Sequence, residues 1–358
     1  MKIRIFVQMK FIEIMSDKRW LFGLDITDLK KITEEFGLPR FAATQIADWL
    51  YKKRCKSIDE MTNLSLKSRE VLSEHFVVGD LPYCGVQESS DGTKKYLFPT
   101  LEGQFIESAY IPDRERATLC VSSQSGCKMG CRMCMTGRQG FQHHLTSGEI
   151  LNQIRNIDES SKLTNIVYMG MGEPLDNVDE VLRSLRVMTS SWGVGWSPTR
   201  ITLSTVGVVA GLKRFLDETT VHLAVSLHNP FPEERRELMP AQNKNSIEDV
   251  VDLLHHYDWT HQRRVSFEYV MLAGVNDTPR HARQIAKLLR GIFCRMNLIR
   301  FHSIPDAPFK GSSEIAIERF KSLLEKEGLI TTIRASRGED ISAACGLLST
   351  REINKVKK

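Results

Sequence analysis

Cys127-Lys128-Met129-Gly130-Cys131-Arg132-Met133-Cys134 places three thiols in the spacing C-x-x-x-C-x-x-C. Three such thiolates can fold round one face of a cubane iron–sulfur cluster, whose irons favour soft sulfur ligands. Three ligands leave one of the four irons with an open coordination position. The same residues also suit a structural zinc knuckle, with Cys120, His143 or His144 as the fourth ligand. Farther along, Gly170-Met171-Gly172-Glu173-Pro174 pairs glycines that admit a close backbone approach with a carboxylate able to accept a hydrogen bond from an ammonium group. Ser204 and Ser226-Leu227-His228 add polar tips at two further strand ends. Singly each fits a cap or a core polar group; together round one cavity they point to a ligand. Cys120 and Cys345 stand outside the triplet. The small residues of Asp340-Ile341-Ser342-Ala343-Ala344-Cys345-Gly346 favour access to the Cys345 thiol, whereas Cys55, Cys84 and Cys294 read as small buried hydrophobes.

The elements that must position these groups alternate regularly beyond Arg116. Strand-like runs at Thr118–Val121, Ile166–Met169, Arg200–Ser204, His222–Ser226, Ser266–Met271, Asn297–Phe301 and Thr331–Arg334 are separated by amphipathic stretches. Those stretches are Ser147–Asp158, Val178–Thr189, Ile247–His256, Pro279–Leu289 and Glu314–Glu327. This α/β alternation predicts a parallel sheet, open or curved into an arc of a (β/α) barrel, with the site at the C-terminal ends of its strands. Before it, Ile46, Trp49 and Leu50 form one helical stripe after Pro39, and Val71, Leu72 and Phe76 suggest another. Lys95-Tyr96-Leu97-Phe98 and Phe105–Ile111 read as a β-hairpin linker or small sheet joining two larger units. The expected division is a leader at 1–22, a helical module at 23–78, a β-type connector at 79–115, the barrel at 116–336 and a tail at 337–358.

Length and composition agree with this plan. With 358 residues, 41% apolar and 26% charged, the chain is long enough for several globular units and excludes disorder, collagen and coiled coil. Eight cysteines are too few for a disulfide-stapled secreted scaffold, and no apolar run reaches the length of a signal core or membrane span, which implies a reducing cytoplasm and no membrane partner. A net charge of +5 decides nothing about nucleic acid. Locally, Lys52, Lys53, Arg54 and Lys56 cluster, and Lys355, Lys357 and Lys358 close the chain, as pointers to phosphate contact.

A resemblance is carried by Thr118-Leu119-Cys120-Val121-Ser122-Ser123-Gln124, the cysteine triplet, Thr136-Gly137-Arg138-Gln139-Gly140-Phe141, the Gly-Met-Gly-Glu-Pro-Leu run, Leu203-Ser204-Thr205 and the Cys345 tail. Together these segments resemble the RlmN-type radical S-adenosylmethionine rRNA adenine methyltransferases. It extends from about Gly23 to Leu348 and includes Phe41-Ala42-Ala43-Thr44-Gln45-Ile46. It implies a partial (β/α)6 TIM-like barrel behind a small N-terminal helical domain. It also implies a 4Fe-4S cluster on Cys127, Cys131 and Cys134, and two S-adenosylmethionine molecules per turnover. The implied reaction is methylation of carbon 2 of adenine 2503 in 23S rRNA and adenine 37 in tRNA. Carbon 2 of adenine is electron-poor and has no lone pair, so radical chemistry from the cofactor is required.

By position, the resemblance makes Cys345 the methyl-carrying thiol, Glu107 the base for the ring proton, and Cys120 the thiol that releases product through a transient Cys120–Cys345 disulfide. Cofactor contacts fall on Gly172, Glu173, Ser204, Ser226, Leu227, His228 and His302. His302 stands where relatives often carry asparagine, and Leu347 where glutamine is frequent. Implied partners are the two RNAs and an electron donor such as flavodoxin or ferredoxin, the enzyme being a monomer. The target base must be extruded, with Trp49 and Tyr51 of the basic module as a candidate RNA grip. Two other readings stand beside this one: a carbon-8 methyltransferase of the Cfr type, against which Pro174 and Arg138-Gln139-Gly140-Phe141 speak, and a zinc-knuckle RNA-binding protein without catalysis.

Overall fold

A computed structural model describes residues 18–350 other than 262. Most of the expected leader, and Lys355, Lys357 and Lys358, lie outside the described residues. Among the described residues β1 (Arg19–Trp20) pairs with β2 (Phe76–Val77) and β7 (Gln124–Ser125) with β8 (His143–His144), and the other ten strands form the framework, one continuous sheet. Strands β6 (Arg116–Cys120), β9 (Asn165–Tyr168), β10 (Ile201–Thr205), β11 (His222–Ser226), β12 (Val265–Met271), β13 (Cys294–Arg300) and β14 (Ile330–Ile333) pair in sequence order, all parallel. They lie within a residue or two of the runs expected from sequence, except that β13 starts three residues earlier. In the middle of the sheet β11 is apolar on both faces, as a buried parallel strand requires: its Leu223, Ala224 and Val225 are all buried.

Helices cover the outside. The helix Val178–Thr189 buries Val181, Leu182, Leu185 and Met188, an i, i+1, i+4, i+7 stripe against the sheet. Besides the five-residue helix Met135–Gln139, two helices among the described residues fall outside the stretches expected from sequence. In Val209–Glu218 the stripe Leu212, Phe215 and Leu216 is interrupted by Gly211, which looks like a breaker. Gly211 instead permits contact, since a Cβ there would lie 2.5 Å from the Leu175 carbonyl oxygen. The other, Pro232–Leu238, is short and largely charged, so it carries little periodic signal.

Of the two forms expected for the connector, the small sheet is found: β3 (Gly85–Glu88), β4 (Lys94–Pro99) and β5 (Phe105–Asp113) form an antiparallel meander. β5 also pairs antiparallel with β6, so the meander continues the barrel sheet without a break. The joint is the tight Arg114-Glu115 turn, with Arg114 at a φ of 51°. As a result, Glu107 on β5 and Cys120 on β6 belong to one sheet.

The N-terminal module consists of helices at Ile26–Glu35, Ala42–Ala47 and Leu66–His75, with a π-helical turn at Asp48–Lys52. It docks through close backbone contact between Gly23 and Gly148, a Ser147 hydroxyl donating to the Gly23 carbonyl at 2.6 Å, and Arg186 paired with Asp25 at 3.0 Å. Tyr51 is buried, accepts from the Gly23 N–H at 3.1 Å and donates to the Leu24 carbonyl at 2.5 Å. It therefore supports the docking joint and does not face an RNA. Trp49 is half-buried and donates to the Asn63 side chain at 2.6 Å, under the Lys53 ammonium. The basic cluster is largely paired: Lys52 and Lys53 reach Asp48 and Lys56 reaches Asp80.

Candidate active site

A cavity of about 1000 Å³ opens at the C-terminal ends of the parallel strands, and Cys127, Cys131 and Cys134 line it together with Gly172, Glu173, Ser204, Ser226, His228 and His302. The cysteine loop is shaped by Gly126 at a φ of 74°, where a Cβ would fall 1.8 Å from the Gly140 carbonyl oxygen. Burial pushes the Cys127 thiol up to about 12, and Cys131 and Cys134 are raised as well, burial first and neighbouring thiols after it. Crowded, mutually repelling thiols of this kind become stable as thiolates when a cationic group neutralises them. Cubane irons each need one thiolate, whereas zinc needs all its donors at one point. Among the described residues no group of three or more His, Cys, Asp or Glu side chains is gathered for a single ion. The donor set thus fits the cluster better than the knuckle.

Beside the cysteines, Glu173 is buried with one oxygen accepting from Thr205 at 2.6 Å and Leu175 N–H at 3.0 Å, the other from Val206 N–H at 2.8 Å. Burial outweighs these donors and pushes its carboxyl up to about 7, a state that a cationic ligand would relieve. Gly172 has a φ of 100°, and a Cβ there would lie 2.5 Å from that of Gln124, so glycine is required. The His228 Nδ1 accepts from Val270 N–H at 3.1 Å, which leaves Nε2 carrying the proton. Burial, with Arg235 beside it, lowers this histidine to about 3, so it faces the cavity as a neutral donor. Leu227 departs from expectation. Its side chain is wholly buried in the core and is not part of the cavity wall, and its N–H and carbonyl are bonded to Glu268 and Arg235. Having its side chain in the core and its backbone engaged, it offers a ligand no polar group. His302 borders the cavity, but its ring nitrogens meet Ser336 at 3.0 Å and Glu339 at 3.1 Å, so it also anchors the tail.

A second cavity of about 820 Å³ adjoins the first. Cys120 lines it, and Cys345, Cys134, Arg334 and His302 line both. Cys345 is exposed and Cys120 buried. Burial, reinforced by Cys345, pushes the Cys120 thiol up to about 12, so it rests protonated. The register explains how Glu107 comes near. Cys120 pairs with Ala109, and Ala109 lies two residues from Glu107 on the same face of β5. The tail crosses this face and is held at several points. Met135 N–H donates to the Gly346 carbonyl at 2.8 Å, Thr136 to the Leu348 carbonyl at 2.7 Å, and Ser349 N–H to Glu107 at 2.9 Å.

Other residues complete the site without any sequence signal of their own. Arg235 is fully buried and donates to the carbonyls of Val206, Ser226 and Leu227, tying two strand ends beneath the cavity. Arg334 lies between the two sulfur pockets, with Cys345 and Glu268 raising its basicity. Of the remaining cysteines, Cys55 and Cys294 are buried as expected, while Cys84 is half-buried and its thiol donates to the Leu97 carbonyl at 3.4 Å.

Two family models match the chain: the Radical SAM superfamily over residues 121–288 and the Ribosomal RNA large subunit methyltransferase N-terminal domain over 20–78. A relative from Bacteroides fragilis (strain ATCC 25285), named as a probable dual-specificity RNA methyltransferase RlmN, is 55% identical over 338 residues, covering 94% of this chain and 98% of its own. The dual-specificity RNA methyltransferase RlmN of Syntrophus aciditrophicus is 40% identical over 93% of this chain and 97% of its own. Among solved structures, a radical SAM methyltransferase from Sphaerobacter thermophilus superposes with a TM-score of 0.84 at 38% identity, covering 92% of this chain and 98% of the other.

Proposed function

The chain belongs to the dual-specificity RNA methyltransferase RlmN family of the radical SAM superfamily, and from that premise we propose that it methylates carbon 2 of adenine 2503 in 23S rRNA and of adenine 37 in tRNA. Membership carries with it a 4Fe-4S cluster and S-adenosylmethionine, which when bound supply the methyl groups and the radical that activates one of them. The observation that carries the reading is the position of Cys345, exposed on a tail loop and common to the two cavities, one holding the cysteine triplet and the other Cys120.

In this reading Cys127, Cys131 and Cys134 hold the cluster. Glu173 accepts from the cofactor ammonium, Gly172 gives close backbone approach, and Ser204, Ser226 and the Nε2–H of His228 bond its polar edges. Cys345 first accepts a methyl group on sulfur. One hydrogen atom of that methyl would pass to the radical that the bound cofactor supplies, the methylene carbon left on Cys345 bonds to carbon 2 of the extruded adenine, and the unpaired electron this leaves in the ring would return to the cluster. Glu107 takes the ring proton; the C–H bond breaks and its electron pair stays in the ring. Cys120, kept protonated by burial until then, loses its proton and attacks the Cys345 sulfur; the sulfur–carbon bond breaks with its electron pair left on the carbon, which takes up a proton to complete the methyl group, and a disulfide forms. External thiols reduce that disulfide. A small reduced protein such as flavodoxin or ferredoxin supplies the electron, in the cytoplasm, to a monomeric enzyme. No helix among the described residues is long and apolar enough to cross a membrane, in keeping with this setting.

The test is a pair of variants. Cys120→Ala leaves the adduct unresolved, so protein cross-linked to RNA accumulates on denaturing gels. Cys345→Ala gives neither cross-link nor product. Retained turnover by Cys345→Ala contradicts the assignment.

A further inference from the structure

Glu107 is the expected base, yet its side chain is buried, a costly place for a carboxylate unless a partner stands by. The partner is Lys95. On the antiparallel β4–β5 pair, Leu97 stands opposite Glu107 and Lys95 opposite Ala109, which makes Lys95 and Glu107 diagonal neighbours on one face. The Lys95 ammonium lies 3.1 Å from Oε1 of Glu107, with side chains only 12% and 7% exposed. The other oxygen accepts from Ser349 N–H at 2.9 Å, four residues beyond Cys345. The base is thus strung between a buried cation on the sheet and the loop that carries the nucleophile.

We infer that Lys95 is a positioning residue for Glu107, its ammonium holding the carboxylate between the sheet and the Cys345 loop. The inference rests on the reading of Glu107 as the base. The surroundings leave Lys95 as the source of charge among the described residues. From the loop after β9, Met171 sulfur accepts the Glu107 N–H; from the loop after β6, the Ser122 hydroxyl donates to the Glu107 carbonyl; from the tail, Ser349 gives its N–H to the carboxylate. Burial raises the Glu107 carboxyl, and Lys95 is the largest influence pulling it back. A carboxylate takes a ring proton only when ionised, so activity falls as pH drops through the Glu107 pKa. Without Lys95 that pKa rises, and the acid limb of the pH profile moves to higher pH.

The experiment is a single-turnover methylation profile against pH for the reconstituted enzyme with tRNA. Lys95→Met keeps the methylene bulk and removes the charge. Lys95→Gln is a second neutral variant should the first fold poorly, and cluster absorbance and a thermal melt check both. The acid limb is expected to shift up by about one unit or more, the usual effect of one close opposite charge. The rate recovers towards the alkaline plateau, and Lys95→Arg returns the limb to its original position. A rate lowered equally at every pH, with the limb unmoved, overturns the inference and leaves Lys95 a packing residue. Glu107→Gln separates the two failures. If it is inactive, an unmoved limb counts against Lys95 alone; if it turns over, the base reading itself fails.

Discussion

Glu173 is surrounded by three hydrogen-bond donors and still has its carboxyl pushed up to about 7, because burial outweighs them. In the cofactor-free protein it is then partly protonated near neutrality, and an incoming ammonium binds better to the ionised form. S-adenosylmethionine affinity should therefore rise between pH 6 and pH 8, by up to about tenfold for each unit in which the carboxyl remains protonated, and calorimetry in two buffers should detect proton release. A pH-independent affinity would remove Glu173 from the ammonium contact. The side chains readable in the sequence were those whose type and spacing carry chemistry by themselves: the cysteine triplet, Glu173 and Cys345. Arg235, Arg334 and Lys95 were not, because a single charged residue inside a helix or strand has no local signature. Strand register alone brings Lys95 to Glu107, and Leu227 shows the converse, a residue carried over by position whose side chain faces the core.

The short helix Met135–Gln139, directly after Cys134, also holds the tail. The Gln139 side chain accepts from the Ser349 hydroxyl at 2.9 Å and the Thr350 N–H at 3.0 Å, and donates to the Thr350 hydroxyl at 3.0 Å. This helix ties the position of Cys345 to the cluster loop. Gln139→Ala removes three hydrogen bonds worth about 0.5–1.5 kcal/mol each. It should cut methyl transfer while leaving the iron–sulfur absorbance unchanged; equal loss of both would mean that it supports the cluster loop instead. At this scale the parallel strands were legible because they are short runs rich in β-branched and aliphatic residues, set at regular intervals between amphipathic stretches of helical length. The continuous meander was not, since a hairpin and a sheet extension share the same alternation and differ only in what the outer strand pairs with. The helix at Val209–Glu218 was hidden because its glycine serves a close approach, not a break.

For the molecule as a whole, the joint between helical module and barrel is narrow at Gly23 and Gly148. A Cβ on Gly148 would lie 2.6 Å from the Phe22 carbonyl oxygen. Gly148→Ala should loosen the module at a cost of about 1–3 kcal/mol, typical of overpacking. The expected readouts are a lower melting temperature and faster proteolysis near residue 23, with S-adenosylmethionine binding retained. Unchanged melting would show that the joint yields freely. Lys52, Lys53 and Lys56 of the module meet carboxylates of the same chain, so these three offer an RNA less free charge than the sequence alone suggests. The central claim concerns which carbon of which base is methylated. Reconstituted enzyme incubated with 23S rRNA and tRNA, followed by nuclease digestion and mass spectrometry against 2-methyladenosine and 8-methyladenosine standards, addresses it directly. 2-Methyladenosine is expected from both RNAs; 8-methyladenosine alone, or no methylated adenosine from active-cluster enzyme, would contradict carbon-2 methylation.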